Sequence, residues 1–335
     1  ESEIILIERG SDISYANCGL PYYIGDVIKS RDALFVQTPK TMKDKFNIDV
    51  RTHHEVLSIN REEKSVTVKN LLTEEEYTET YDILLLSTGS SPLRPPIPGI
   101  DGERILTLWN VADTDQIKAS IEEWGVKTAT VVGGGFIGLE MAENLHALGI
   151  DVTLVEMLDQ VMAPLDFEMA QLLHENMWQN GVYLRLSDGV STFENKDDSV
   201  VIHLNSGKQI EAELVILAIG VRPNNQLAKE AGLELSERGG VVTDAMQRTS
   251  DPSIYAVGDV TQVEDFISKE LTMIPLAGPA SKQGRIAADN IAGASEEYKG
   301  SQGTSIAQVF DLTAASTGWA EKTLIRKGLV KGKDY

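Results

Sequence analysis

The sequence predicts an α/β protein built on parallel sheets. Three observations predict it. Short aliphatic and β-branched runs alternate with helical patterns along the 335 residues, the order expected of βαβ units. The runs at 4–8, 82–87, 128–132, 151–155, 213–218 and 254–257 are near-continuously apolar rather than alternating, as strands buried on both faces are. Between residues 128 and 156 a strand, a glycine turn, a helix and a second strand follow one another within the length of a single βαβ crossover.

Taken in order, the run at 4–8 is the first strand and leaves Glu8 at its end. Residues 14–21, Ser-Tyr-Ala-Asn-Cys-Gly-Leu-Pro, form a turn leading into an apolar helix start. Residues 54–60 and 65–70 alternate apolar and polar around Arg61-Glu62-Glu63-Lys64 and predict a hairpin. The stretch 90–102 carries four prolines and two glycines and reads as a connector between domains. The helix of the crossover runs over 136–148, with Gly149 placed to end it in a left-handed conformation. A second hairpin spans 200–213 around Ser206-Gly207. The strand ends Leu84-Leu85-Leu86-Ser87-Thr88-Gly89 and Ile216-Leu217-Ala218-Ile219-Gly220 echo each other, each followed by a proline, which predicts two related nucleotide-binding domains.

Composition narrows the function. Thirty Lys and Arg against 51 Asp and Glu give a net charge of −21, which disfavours nonspecific binding to nucleic acid or anionic lipid. No apolar run approaches the roughly 18 residues of a membrane span. The single cysteine, Cys18, excludes an internal disulfide and a cysteine-based zinc site, and a lone thiol fits the reducing cytoplasm. The five histidines show no metal spacing, and His146 and His174 on amphipathic helices read as surface or satisfied side chains. The chain opens on Glu1 and directly on an apolar strand, which predicts a segment before it.

Three motifs carry chemistry. Gly133-Gly134-Gly135-Phe136-Ile137-Gly138 is a G-x-G-x-x-G that follows a strand and opens a helix. Gly133 permits the tight turn, Gly135 lets the backbone approach a pyrophosphate, and Gly138 lets helix and strand pack closely. Glu156, 18 residues past Gly138, ends the next strand and is placed to accept from a ribose 2′-OH. An acid there repels a 2′-phosphate, so NADH is favoured while NADPH stays open. Around Cys18, the neighbours Ser14 and Asn17 are candidate donors to a thiolate. The helix start beyond Gly19 is expected to lower the thiol pKa; against this stands the ordinary reading of an inert, buried cysteine. The third motif, residues 249–259, ends a strand in Gly258-Asp259 and leaves a carboxylate at the sheet edge, placed for cofactor hydroxyls. Lys29, Arg31, Lys40, Lys43, Lys45 and Arg51 follow the thiol; with Asp32, Asp44 and Asp49 interleaved they read as a solvated face, or alternatively as a phosphate grip for a nucleotide-bearing thiol.

On these residues the chain resembles the pyridine nucleotide-disulfide oxidoreductases of the single-cysteine branch. That branch holds coenzyme A-disulfide reductases, NADH-dependent persulfide reductases, NADH oxidases and NADH peroxidases. The closest likeness is carried by Ser14-x-x-Asn17-Cys18-Gly19-Leu20-Pro21, by 131–140, by Val155-Glu156-Met157 and by Leu276-Ala277-Gly278-Pro279-Ala280. The resemblance implies two interleaved Rossmann-like domains with parallel sheets. One, for FAD, covers 1–107 and 236–300 and lacks its first strand and G-x-G-x-x-G. The other, for NAD(P), covers 108–235, and 301–335 begins an α+β dimerisation domain. It implies FAD held by Glu8, Arg9, Thr88, Gly89, Gly258, Asp259 and Ala277. It implies NADH held by Gly133, Gly135, Phe136, Ile137, Gly138 and Glu156, with Gly220 closing the site. Cys18 becomes the redox cysteine facing the flavin, Ser14 and Asn17 line its pocket, and Glu140 is either near the nicotinamide or an ordinary helix residue. The implied substrate is a small disulfide, coenzyme A-linked, or a per- or polysulfide; the alternative is oxygen or peroxide, through a cysteine sulfenic acid. A homodimer is implied for the full-length protein.

Overall fold

The computed structural model describes residues 2–335. Its packing divides the chain into two compact units. The first comprises the residues to Tyr15, Phe35–Ser91 and Arg222–Gly303; the second comprises Ala16–Leu34, Pro92–Val221 and Thr304–Tyr335.

The second unit is organised by a five-stranded sheet in the order Ile105–Thr107, Leu214–Leu217, Thr128–Val132, Asp151–Val155, Tyr183–Arg185. Every pairing in it is parallel. The aliphatic runs fit this position: Val131, Val152, Leu154, Val215 and Ile216 are fully buried. The helix Phe136–Ala147 buries Leu139, Ala142 and Leu145, and Phe167–Gln179 buries Ala170, Leu173 and Met177. Both sets recur at helical spacing, so each helix turns one apolar stripe inward. An antiparallel layer, Val190–Asn195, Val200–Leu204 and Gln209–Ala212, joins its side chains to Val132, Val155, Val215 and Leu217 in one core. The hairpin Ser305–Val309 and Leu312–Ser316 packs on the helices Phe136–Ala147 and Phe167–Gln179.

The first unit holds two separate parallel pairs: Ile5–Glu8 with Asp49–Thr52, and Leu84–Leu86 with Ile254–Ala256. A meander of His54–Asn60, Ser65–Asn70 and Glu76–Thr80 adds an antiparallel sheet. Leu86, Ala228, Leu233, Val241, Ile254, Ala256 and Val260 form its buried cluster. The helix Ala277–Ile291 packs on the turn Gly258–Val260.

The α/β class and the parallel sheet match the sequence reading. The packing units divide within the predicted connector, between Ser91 and Pro92, and Ile105–Thr107 is an edge strand of the second unit's sheet. Ala228 and Leu233 belong to the first unit's core. The thiol segment 16–34 joins the second unit because Leu20, Ile24 and Leu34 are buried within it. Among the described residues no helix is long and apolar enough to cross a membrane.

Candidate functional site

In the second unit the glycine turn has the geometry its sequence demands. Gly133 sits at φ +112°, and a Cβ there would lie 2.3 Å from the Ala218 carbonyl oxygen. A Cβ on Gly138 would lie 1.9 Å from the Gly133 carbonyl oxygen, so the helix rests directly on the turn. Gly135 differs. It is the N-cap of Phe136–Ala147, no side chain caps it, and a Cβ there meets nothing within 4 Å. The start of this 12-residue helix is therefore uncapped by any side chain and open at Gly135, which suits an anionic ligand. Glu156 stands beside them: Oε2 accepts the Gly134 N–H at 2.6 Å and Oε1 accepts the Leu158 N–H at 2.8 Å. Each oxygen keeps a lone pair for a hydroxyl. Gly220, at φ +109°, follows the neighbouring strand, and Ala218 donates to Val132 O at 2.7 Å, which keeps that end of the sheet closed up to the turn. Phe136 and Ile137 reach the surface at the helix start. These residues fit a dinucleotide.

Cys18 lies in the same unit, exposed, in the tight turn Asn17–Gly19 that leads into the helix Leu20–Ile24. That short helix packs on Val111–Trp124 and on Phe136–Ala147. Contact with the latter is close: a Cβ on Gly25 would fall 2.3 Å from Asn144 Oδ1, and Asn144 Nδ2 donates to Glu140 O at 2.8 Å. Lys118 fastens the other side, donating to Asp26 at 2.6 Å and to Tyr23 O at 3.3 Å.

The thiol's acidity corrects the sequence expectation. Crowding of the sulfur by its surroundings pushes the Cys18 pKa up, the Glu140 charge pushes it further, and only a backbone hydrogen bond at Cys18 opposes them. The helix start does not reverse this, because it is five residues long, Pro21 has no N–H, and the Leu20 N–H is taken by Asn17 O. Glu140 itself is pushed up to about 7, first by burial and then by Glu143. Tyr22 is raised by burial and then by Glu140, Glu143 and Cys18. Four titratable groups thus share one electrostatic neighbourhood. Sequence reasoning places Glu140 only loosely, since its partner Cys18 is remote in the chain. Replacing Glu140 by Gln removes a negative charge that opposes thiolate formation. Cys18 in Glu140→Gln should alkylate with iodoacetamide roughly three- to tenfold faster at mildly alkaline pH. The advantage should shrink below about 7, where wild-type Glu140 is already protonated. Stopped alkylation read by mass across that range checks it.

In the first unit Thr88 and Gly89 leave the strand Leu84–Leu86, and Gly258 and Asp259 leave its parallel partner Ile254–Ala256 at the same end. Ser90 Oγ donates to Asp259 Oδ2 at 2.8 Å, leaving Oδ1 without a protein partner among the described residues. Gly258 N donates to Gln283 Oε1 at 2.6 Å and so ties the turn to the helix Ala277–Ile291. That helix starts without a side-chain cap, at Leu276, beside Ala277. Gly89, at φ +63°, has open space where a Cβ would be. An available carboxylate oxygen, uncapped helix N–H groups and an open glycine fit a second polyhydroxylated, phosphorylated cofactor. Asn224 was not singled out from sequence, yet it holds the turn: Nδ2 donates to Thr88 O at 2.9 Å, and its backbone accepts from Thr88 Oγ1 at 2.7 Å. The Arg222-Pro223-Asn224 that follows Gly220 was the available signal. Glu8 ends the strand of the other parallel pair and Arg9 follows it; Glu8 Oε1 accepts the Gly10 N–H at 2.6 Å and Arg9 meets Glu55 at 3.4 Å.

Ser14 falls in the first unit, paired across from Gln37, while Asn17 is in the second. Of the basic residues after the thiol, Arg31 pairs with Asp115, Lys40 with Asp44, and Arg51 with Asp49 and Glu79. That favours the solvated face over the phosphate grip.

The family model for pyridine nucleotide-disulphide oxidoreductases matches residues 1–284. The chain belongs to this family. It is 36% identical over 319 residues to an NADH oxidase of Methanocaldococcus jannaschii, covering 95% of this chain and 70% of that protein. It is 34% identical over 319 residues to a coenzyme A disulfide reductase of Staphylococcus haemolyticus, covering 95% of this chain and 71% of that one. Among solved structures, reduced Bacillus anthracis CoADR-RHD superposes with a TM-score of 0.96 at 53% identity, covering 98% of this chain and 59% of that one. The chain therefore spans about three fifths of that structure's length.

Proposed function

We propose that the full-length protein is an FAD-containing oxidoreductase that uses NADH to reduce a small disulfide, either coenzyme A disulfide or a related per- or polysulfide. The observation that carries the reading is one exposed thiol, Cys18, in the same unit as a complete dinucleotide turn, with Glu140 beside both. The Cys18 thiolate attacks one sulfur of the substrate, the S–S bond breaks, and the other sulfur leaves as a thiolate that takes up a proton from solvent, while a mixed disulfide stays on Cys18. Two electrons from NADH and one proton then release the second thiol and regenerate the thiolate. The sum is NADH, a proton and one disulfide giving NAD and two thiols. FAD, when bound, supplies the two-electron relay between NADH and sulfur. Glu140, pushed up to about 7, sets through its charge how readily Cys18 gives up its proton.

The acid Glu156 favours NADH over NADPH, and residues 157–165 contain no Lys or Arg to receive a 2′-phosphate. Thr88, Gly89, Gly258, Asp259 and Ala277 are assigned to FAD, with Glu8 and Arg9 on the adenosine side. A homodimer and a cytoplasmic setting complete the reading; the second rests on the lone reduced thiol.

Intact mass of the full-length protein, purified without thiol reductants, tests the cycle. The expected result is a coenzyme A-sized or sulfane-sulfur adduct on Cys18 that disappears on adding NADH. Added oxygen in place of an adduct transfers the assignment to oxidase or peroxidase chemistry through a cysteine sulfenic acid, of which the M. jannaschii relative's name, NADH oxidase, gives the oxidase case.

A further inference from the structure

Residues 157–165 link the strand Asp151–Val155 to the helix Phe167–Gln179 without regular structure, yet Gln160, Val161 and Met162 are buried. A buried loop must satisfy its backbone polar groups locally. Here side chains and the glycine turn do so. Gln160 Nε2 donates to the carbonyls of Leu165, Val161 and Met162 at 2.9, 3.3 and 3.4 Å, and its Oε1 accepts from Lys322 Nζ at 2.9 Å. Met162 N donates to Gly134 O at 2.8 Å. Val161 N donates to His174 Nε2 at 3.1 Å. The Val161 methyl that this bond aims lies 3.0 Å from where a Cβ on Gly134 would be, so the segment closes on the same glycine whose N–H meets Glu156.

We propose that His174 is a positioning residue for the dinucleotide turn: by accepting the Val161 N–H at Nε2 it seats residues 157–162 against Gly134 and so sets the affinity for the adenosine half of NADH. This rests on the dinucleotide reading above. The bond requires the ring proton on Nδ1 and a neutral ring, since an imidazolium has no acceptor. Asp159 in the segment draws the His174 pKa upward, and Glu175 on its own helix lines the same surface groove with Gln171, Trp178, Leu184 and Leu186. Lys322, on the helix Glu321–Arg326, reaches the segment through Gln160, and its charge is matched by Asp166 and Asp159. Burial outweighs Asp159 and holds His174 below the ordinary histidine value. The bond is therefore intact above the ordinary value and is lost as the pH falls through the lowered one.

The test uses the flavin-loaded full-length enzyme with NADH as the probe, by calorimetry, steady-state kinetics and amide hydrogen exchange. In His174→Leu the expected result is a roughly three- to tenfold rise in the Kd for NADH, seen in KM rather than kcat, with faster exchange at the Val161 amide. His174→Gln, whose Oε1 reaches the position of Nε2, should restore most of both and should lack the wild type's loss of affinity on acidification. Unchanged Kd and Val161 exchange in His174→Leu overturn the proposal, as does an identical pH dependence in His174→Gln and wild type. A wild type that does not bind NADH overturns the dinucleotide reading instead, while Val161 exchange still reports whether His174 holds the segment.

Discussion

Cys18→Ser should abolish NADH-dependent disulfide reduction, with a loss on the order of a thousandfold or more, while leaving NADH oxidation by an artificial one-electron acceptor such as ferricyanide largely intact. Serine keeps the volume and the local turn, so the helix Leu20–Ile24 and its contacts with Val111–Trp124 and Phe136–Ala147 are expected to persist. What is lost is the nucleophile: an alcohol ionises far above physiological pH and leaves no sulfur to form a mixed disulfide. Separating the two activities is the point of the experiment. If disulfide turnover and dye reduction fall together, Cys18 supports cofactor binding rather than chemistry. If neither falls, the thiol is a bystander and the protein is a nucleotide-binding flavoprotein of another kind. Steady-state assays with both acceptors, on wild type and variant side by side, make the distinction. The raised thiol pKa sharpens the expectation. Wild-type disulfide reduction should climb with pH as the Cys18 thiolate forms, and dye reduction should not follow the same curve.

How much of this was legible in the sequence differs from element to element. The crossover was legible almost to the residue: strands at Thr128–Val132 and Asp151–Val155, with a helix ending at Ala147, one residue short of the predicted end, and Gly149 at φ +81°. Its signals are local, because glycines punctuate it and aliphatic runs fill it. The strand expected over 82–87 shrinks to Leu84–Leu86, since Asp82 and the residues after Leu86 lie outside the ladder. The edge strand Glu76–Thr80 carries no local signal because its residues are mostly polar; only its pairing with Ser65–Asn70 makes it a strand. The same division runs through the site. Gly133, Gly135, Gly138 and Glu156 announce themselves by spacing. The acidity of Cys18 does not, because a carboxylate far along the chain, Glu140, acts on it through packing. Asn224 on Thr88 and His174 on Val161 are likewise tertiary contacts made by ordinary residues. Local rules identify a glycine turn of dinucleotide-binding shape; they do not identify the side chains that hold that turn in place.

The two glycines at the head of the crossover should therefore fail in different ways when each is changed to alanine. Gly133→Ala puts a side chain on a backbone at φ +112°, a conformation L residues rarely adopt, and drives its Cβ to 2.3 Å from the Ala218 carbonyl oxygen. The obstacle is backbone just beyond the buried, paired strand ends Val132 and Leu217, so it cannot swing aside. A cost of about 2–4 kcal/mol in stability is expected, from strain and overpacking together. Thermal unfolding should fall by several degrees, and NADH affinity should fall with it. Gly135→Ala meets neither obstacle. Its φ is −81°, which alanine adopts freely, and its Cβ has no neighbour within 4 Å. Its stability should match wild type within about 0.5 kcal/mol. Its affinity should not, if the proposed dinucleotide site is right, because the methyl enters the open space at the uncapped helix start that this reading gives to the pyrophosphate. Overpacking of about 1–3 kcal/mol against that ligand corresponds to a roughly five- to hundredfold rise in the Kd for NADH. Calorimetric unfolding and NADH titration of both variants give four numbers. A Gly135→Ala variant that is stable and still binds NADH at wild-type strength would show that the phosphates do not pass over this helix start, and would remove the structural basis for assigning the dinucleotide to it.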